Sequence, residues 1–287
     1  MNDQEMLGFF IEVSKIFRIL YQEPLWSKYD LDYHTDAASL FLEGYAFEHQ
    51  WRNPSFSPAA IEAIKRSKDS KEFPHDVWEN FRGLLNTDKL NLNLNPLYHR
   101  EISCKNCIWC VLESENIVQR SQRDLDTSKT RAALERLKEI RGVGDKIASF
   151  FLRDVAIWYP STHIDKEDRW LLQPIDIWVK RTVQYLSRLN MNNEEVAKWI
   201  VDNCGQPECC NQGIWYFGAR IAGSDYTLRK SILDMNYAKR ISEDGIRCFP
   251  DMIGAVQILK RWKAKAQLIA GVMNVIPDMR AKSLDLF

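Results

Sequence analysis

Two glycines one residue apart, Gly142 and Gly144, interrupt an otherwise helical pattern and constrain this fold more than any other feature. Ala132 to Glu139 has helical periodicity, and Ile147 to Trp158 is apolar enough to predict a buried helix. Between them, Gly142-Val143-Gly144 allows a tight turn and lets another backbone come close. The second helix therefore opens with unpaired amides beside Lys146, an arrangement suited to anions. Thirty residues after that lysine, Pro174-Ile175-Asp176 starts a further helix, with the aspartate at the positive end of its dipole.

The rest of the chain reads all-α. Leu7, Phe10, Ile11, Phe17 and Ile19 predict an amphipathic helix over 4–20, followed by a loop over 21–35. Asp36 is expected to cap a helix through Phe47, and Ser57-Pro58 to open another. Further helices are expected over 76–85, 175–189, 194–204, 208–223 and 252–272. Neither βαβ alternation nor an internal repeat is evident. At 287 residues the chain can bury a sizeable core, and its 45% hydrophobic and 27% charged residues predict an ordered protein. With 39 basic and 39 acidic residues, binding to DNA by bulk charge is excluded, whereas a DNA enzyme with a local basic face is not. No stretch has the apolar length of a membrane span, and the N-terminus lacks a signal-peptide pattern, so a cytoplasmic location is expected. Seven cysteines, an odd number without a secretion signal, predict reduced thiols. Cys104, Cys107 and Cys110, with His99 as a fourth ligand, have metal-ligand spacing; burial as small hydrophobes on one helical face is the favoured alternative.

Ile140-Arg141-Gly142-Val143-Gly144-Asp145-Lys146-Ile147-Ala148 and the later Pro174-Ile175-Asp176 resemble the paired motifs of the helix-hairpin-helix DNA glycosylase superfamily. The resemblance is specific over about 137–181, supportive over 208–222 and faint over 40–64. It implies a two-lobed all-α fold with the active site in the cleft between lobes. The chain is expected to form one glycosylase unit, 1–287, with a core lobe of about 36–185 that includes the hairpin at 137–150. The N-terminal helix in 1–35 and residues 186–287 are expected to form the second lobe.

The implied activity is base excision with associated lyase chemistry on double-stranded DNA, by a monomer associated with the nucleoid. Lys146 is the expected nucleophile, its neutral amine attacking the sugar C1′ of an extruded nucleotide, and Asp176 the carboxylate that stabilises positive charge on the sugar. Gly142, Val143 and Gly144 are expected to meet DNA phosphate, and the carbonyls of Ile140 and Val143 to ligate a monovalent cation; no cofactor is required. The late helix, Asn211 to Arg220, resembles that of the archaeal 8-oxoguanine DNA glycosylases, which place an acidic residue four positions before a tryptophan. Trp215 then becomes a stacking platform for the flipped base, with Asn211, Phe217 and Trp51 in the same pocket, and Gln50, Arg52 and Asn53 filling the space the base leaves. Asn211 stands where that group has a carboxylate, and an amide both donates and accepts, so another base edge becomes readable. 8-Oxoguanine is the first expected substrate. The alternatives are another modified base, such as a pyrimidine in foreign DNA, and a non-catalytic hairpin that only grips phosphate.

Overall fold

The computed structural model describes residues 3–47, 55–85, 95–99, 105–113, 115–160 and 163–243. Among the described residues every regular element is helical. In order these are α1 (Asp3–Phe17), α2 (Glu23–Trp26), α3 (His34–Phe41), α4 (Phe56–Ser67), α5 (Phe73–Leu85), α6 (Ile108–Val111) and α7 (Ile117–Asp126). They continue with α8 (Thr130–Lys138), α9 (Asp145–Trp158), α10 (Ile177–Ser187), α11 (Asn193–Asn203), α12 (Pro207–Tyr216) and α13 (Asp225–Leu233), and a helical run over 235–243 follows. None of the described helices is long and apolar enough to cross a membrane.

Apolar side chains gather in two cores. The first runs from Trp26 to Leu172 and draws on α2 to α9. The second joins Met6, Leu7, Phe10, Val13 and Phe17 of α1 to α10, α11, α12 and α13. The first helix of the chain thus packs with the last ones. This contact depends on Gly213 in α12, where a Cβ would overlap the Phe10 carbonyl oxygen and come within 2.7 Å of its carbonyl carbon. Only a residue without a side chain lets the two backbones approach this closely.

Several expectations shift at this level. Val179, Val183 and Leu186 of α10 belong to the second core, so the first ends near Leu172 and not at residue 185. Residues 21–35 are not all loop: Pro24, in the first turn, starts the short α2, whose Trp26 is buried. Asp36 lies inside the first turn of α3, whose N-cap is Tyr33, and its Oδ2 accepts from the Asp30 amide instead. The helix expected over 252–272 lies outside the described residues.

Between the cores runs α9, buried continuously from Ala148 to Ile157. A buried helix of this kind normally carries only apolar residues, yet Arg153 is 0% exposed and Asp154 3%. The pair is stabilised by hydrogen bonds on every side. Arg153 Nε and Nη2 donate to Asp154 Oδ1 at 2.9 and 2.8 Å, Tyr45 OH donates to Oδ2 at 3.0 Å, and Trp26 Nε1 donates to Tyr45 OH at 3.1 Å. From the second core, Gln212 Nε2 reaches Asp154 Oδ1 at 3.3 Å and Gln22 Oε1 at 3.2 Å, while Ser14 Oγ donates to Gln212 Oε1 at 2.7 Å. Burial raises the Asp154 carboxyl above its ordinary range against the pull of the Arg153 guanidinium. Burial also holds the Tyr45 phenol well above its ordinary value, with the Asp154 charge adding to the effect.

Three π-helical turns adjoin this network, over Arg18–Gln22, Leu42–Ala46 and Phe217–Ala222. Each adds a residue to a helical turn and so re-aims the side chains around it. Gln22 closes the first turn, Tyr45 lies in the second, and α12 with Gln212 runs directly into the third.

Candidate active site

The hairpin forms where its glycines predict it. α8 ends, Gly142 takes a φ of +75°, and α9 begins at Asp145 with Gly144 as its N-cap. Arg141 braces the turn: its amide donates to Asn106 O at 3.0 Å, its Nη1 to Tyr98 O at 2.6 Å, and its guanidinium lies 4.8 Å from the Tyr98 ring centre. Lys138 of α8 bridges to Asp145 of α9 at 2.7 Å, and Asp145 followed by Glu135 holds the Lys138 ammonium above its ordinary range. Gly142 is required by its own backbone, because a left-handed φ is costly for any residue with a Cβ. Gly144 is not: its φ of −104° and ψ of −178° are open to all residues, and a Cβ there would meet nothing within 4 Å. The Val143 amide donates to Ile140 O at 3.0 Å.

Lys146 follows in the first turn of α9, exposed. Asp176 is the N-cap of α10, where its Oδ1 accepts from the amides of Trp178 at 2.9 Å and Val179 at 3.0 Å. The cap employs one carboxylate oxygen, and Oδ2 has no hydrogen bond to the described residues. Both residues line one cavity, together with Ile147, Phe150, Arg153, Pro174 and Trp215. The space these residues bound, open solvent at its mouth included, is about 430 Å³. Phe150 belongs to the first core and Trp215 packs on the second, so the cavity lies where the two meet. Phe150 and Trp215 are 6.1 Å apart in an edge-on arrangement, and Phe17 meets the Trp215 ring edge-on at 5.8 Å.

Lys146, Asp176 and Trp215, far apart in the chain, are therefore brought together. Two other expected members of the pocket are not. Asn211 is 0% exposed and does not line the cavity. Its Oδ1 accepts from Arg153 Nη1 at 2.9 Å and its Nδ2 donates to Pro174 O at 3.3 Å, so both ends of the amide are bound within the protein. Phe217 is also 0% exposed, 5.5 Å from Phe9 and 5.7 Å from Phe10 in edge-on contacts inside the second core. One helical turn separates Asn211 from Trp215, but Pro174 and Arg153 cover only the former. Gln50, Trp51, Arg52 and Asn53 lie outside the described residues.

Phe150 and Arg153 are cavity residues that motif reading passes over. They stand four and seven positions after Lys146, the spacing of one helical face, and this was the signal available. The Arg153 guanidinium lies 4.3 Å from the Phe150 ring centre, a cation–π contact between two residues of the cavity wall.

Cys107 is buried and Cys110 half-buried, neither in a disulfide, and neither joins His99 in a ligand group among the described residues; Cys104 lies outside them. A hydrogen bond from the Cys107 thiol lowers Cys110 to about 7. Glu72 and His75, both exposed, and the half-buried Asp76 bring potential ligand atoms within 4.8 Å of one another, and none of the three lines the cavity.

Compared with known proteins, the chain matches no family model, no curated protein and no solved structure.

Proposed function

We propose that this protein is a base-excision DNA glycosylase with associated lyase activity, acting on a damaged or modified base flipped out of duplex DNA. The observation that carries the reading is the meeting of Lys146, Asp176 and Trp215 in one cavity between the two cores. The hairpin turn and the first amides of α9 take the DNA phosphate, which brings the extruded nucleotide over Lys146. The neutral amine attacks C1′, the N-glycosidic bond breaks, and the base leaves with the bonding electrons and collects a proton. Opening of the sugar ring then leaves an iminium between Nζ and C1′, and loss of a C2′ proton expels the 3′ phosphate. Oδ2 of Asp176 faces the positive charge that develops on the sugar while Oδ1 remains bound to its helix. The Trp215 and Phe150 rings supply apolar walls for the base.

Recognition of the base edge by residue 211 does not enter this reading, because the Asn211 amide is bound within the protein. 8-Oxoguanine, the expectation from the resemblance, is the first substrate to test in a panel that includes modified pyrimidines. The reading itself is tested by borohydride reduction in the presence of an abasic duplex. A covalent adduct is expected with the native protein and none with Lys146→Gln. Absence of an adduct with the native protein, together with retained duplex binding, would instead indicate a hairpin module without chemistry.

A further inference from the structure

Resting on the glycosylase reading, a second question is what sets the place of the Asp176 carboxylate. One oxygen is committed to the α10 cap, so the position of Oδ2 follows the backbone of Pro174-Ile175-Asp176. That backbone is held from α12. Asn211 donates to the Pro174 carbonyl at 3.3 Å. Three residues earlier on α12, Glu208 accepts two parallel bonds from Arg169, each 2.8 Å, and a longer one from Gln173 Nε2 at 3.4 Å. The segment leading into Asp176 is thus fastened at residues 169, 173 and 174 to neighbouring positions of one helix. Asn211 is itself immobilised, because Arg153 Nη1 donates to its Oδ1 and Arg153 is fixed by Asp154.

We propose that α12 is the positioning element for Asp176, with Asn211 acting through the Pro174 peptide and Glu208 through Arg169. Asn211 does not line the cavity, so its effect is transmitted. The amide is chemically suited to this role because it must accept from a guanidinium and donate to a carbonyl at once. A carboxylate performs the first task and not the second.

Asn211→Asp therefore separates the two. The variant keeps an acceptor for Arg153, charged now, and sets two oxygens against each other at Pro174. It is expected to fold with a lowered thermal midpoint, because a second carboxylate is buried beside the Arg153–Asp154 pair. Its crystal structure is expected to show the Pro174 peptide and Asp176 Oδ2 displaced by about 1 Å, and adduct formation to slow by about tenfold to a hundredfold. Affinity for a duplex with a reduced abasic analogue should stay unchanged. Arg169→Met removes the other hold from a partly exposed side chain and supplies the same two readouts should Asn211→Asp fail to fold; a smaller displacement and a rate loss of about threefold to tenfold are expected. Asp176 unmoved in the folded variants, or a rate in Asn211→Asp equal to or above the native one, as direct base contact by residue 211 would give, overturns the proposal. Failure of the native protein to form any adduct overturns the glycosylase reading, while the displacement of Asp176 still decides this one.

Discussion

Gly144 and Gly213 each stand two residues before a side chain of the same cavity, Lys146 and Trp215, and the fold needs only one of them. At Gly213 the carbonyl of another helix occupies the space of a side chain. At Gly144 the space is open, and the backbone adopts a conformation any residue can take. A glycine that the protein's own packing demands reports on the fold. Gly8, Gly83 and Gly205 share such open space, so openness alone marks no site; what distinguishes Gly144 is its place beside Lys146 and the first amides of α9, where the proposed function puts a DNA phosphate.

The same contrast extends to the polar groups. Arg153, Asn211 and Gln212 have their side chains engaged by other protein groups, whereas Lys146 is exposed in the first turn of α9 and has no ion pair with a described residue. Groups fully employed by the structure hold the site together. Groups left over are the ones available to a substrate.

Substitutions can break this contrast or sharpen it. The largest effect is expected from Gly213→Ala, which must push α1 from α12 and should cost about 3 kcal/mol of stability in urea unfolding; a loss below about 0.5 kcal/mol would show that the two helices can part freely. Asp176 stands between the extremes, with one oxygen serving the fold and the other the cavity. Asparagine caps helices as well as aspartate, so Asp176→Asn should leave stability within about 0.5 kcal/mol of the native value. Its adduct formation should nevertheless slow about a hundredfold, equivalent to about 2.7 kcal/mol. Equal losses in both measurements would reduce Asp176 to an ordinary cap. The smallest effect belongs to Gly144→Ala. Stability should hold or rise by about 0.5 kcal/mol as the unfolded chain loses freedom. Affinity for duplex DNA should fall about tenfold, or about 1.4 kcal/mol, as the new methyl meets the phosphate backbone. Unchanged affinity would mean that the open side of the turn faces solvent alone.

Much of the helical organisation is legible in the chain because it depends on near neighbours. The turn at Gly142 and the apolar run after it place α8 and α9 within a residue or two, and Pro174-Ile175-Asp176 announces the start of α10. The π-helical turns carry no comparable mark, although two of them hold Gln22 and Tyr45, whose hydrogen-bond partners Gln212 and Asp154 are distant in the chain. Asn211 and Phe217 were misplaced for a related reason. Helical spacing puts Asn211 on the same face as Trp215, but only the packing of Pro174 and Arg153 decides that one is covered and the other meets the cavity.

By itself, then, the sequence determined most of the helices, the hairpin turn and the helix starts that carry Lys146 and Asp176, because capping, glycine conformation and apolar periodicity act over a few residues. Tertiary structure alone decided which helix closes on which, that an ion pair lies buried between two cores, and which face of α12 lines the cavity. Those outcomes depend on contacts between residues up to two hundred positions apart, such as Ser14 with Gln212, and no local pattern encodes them.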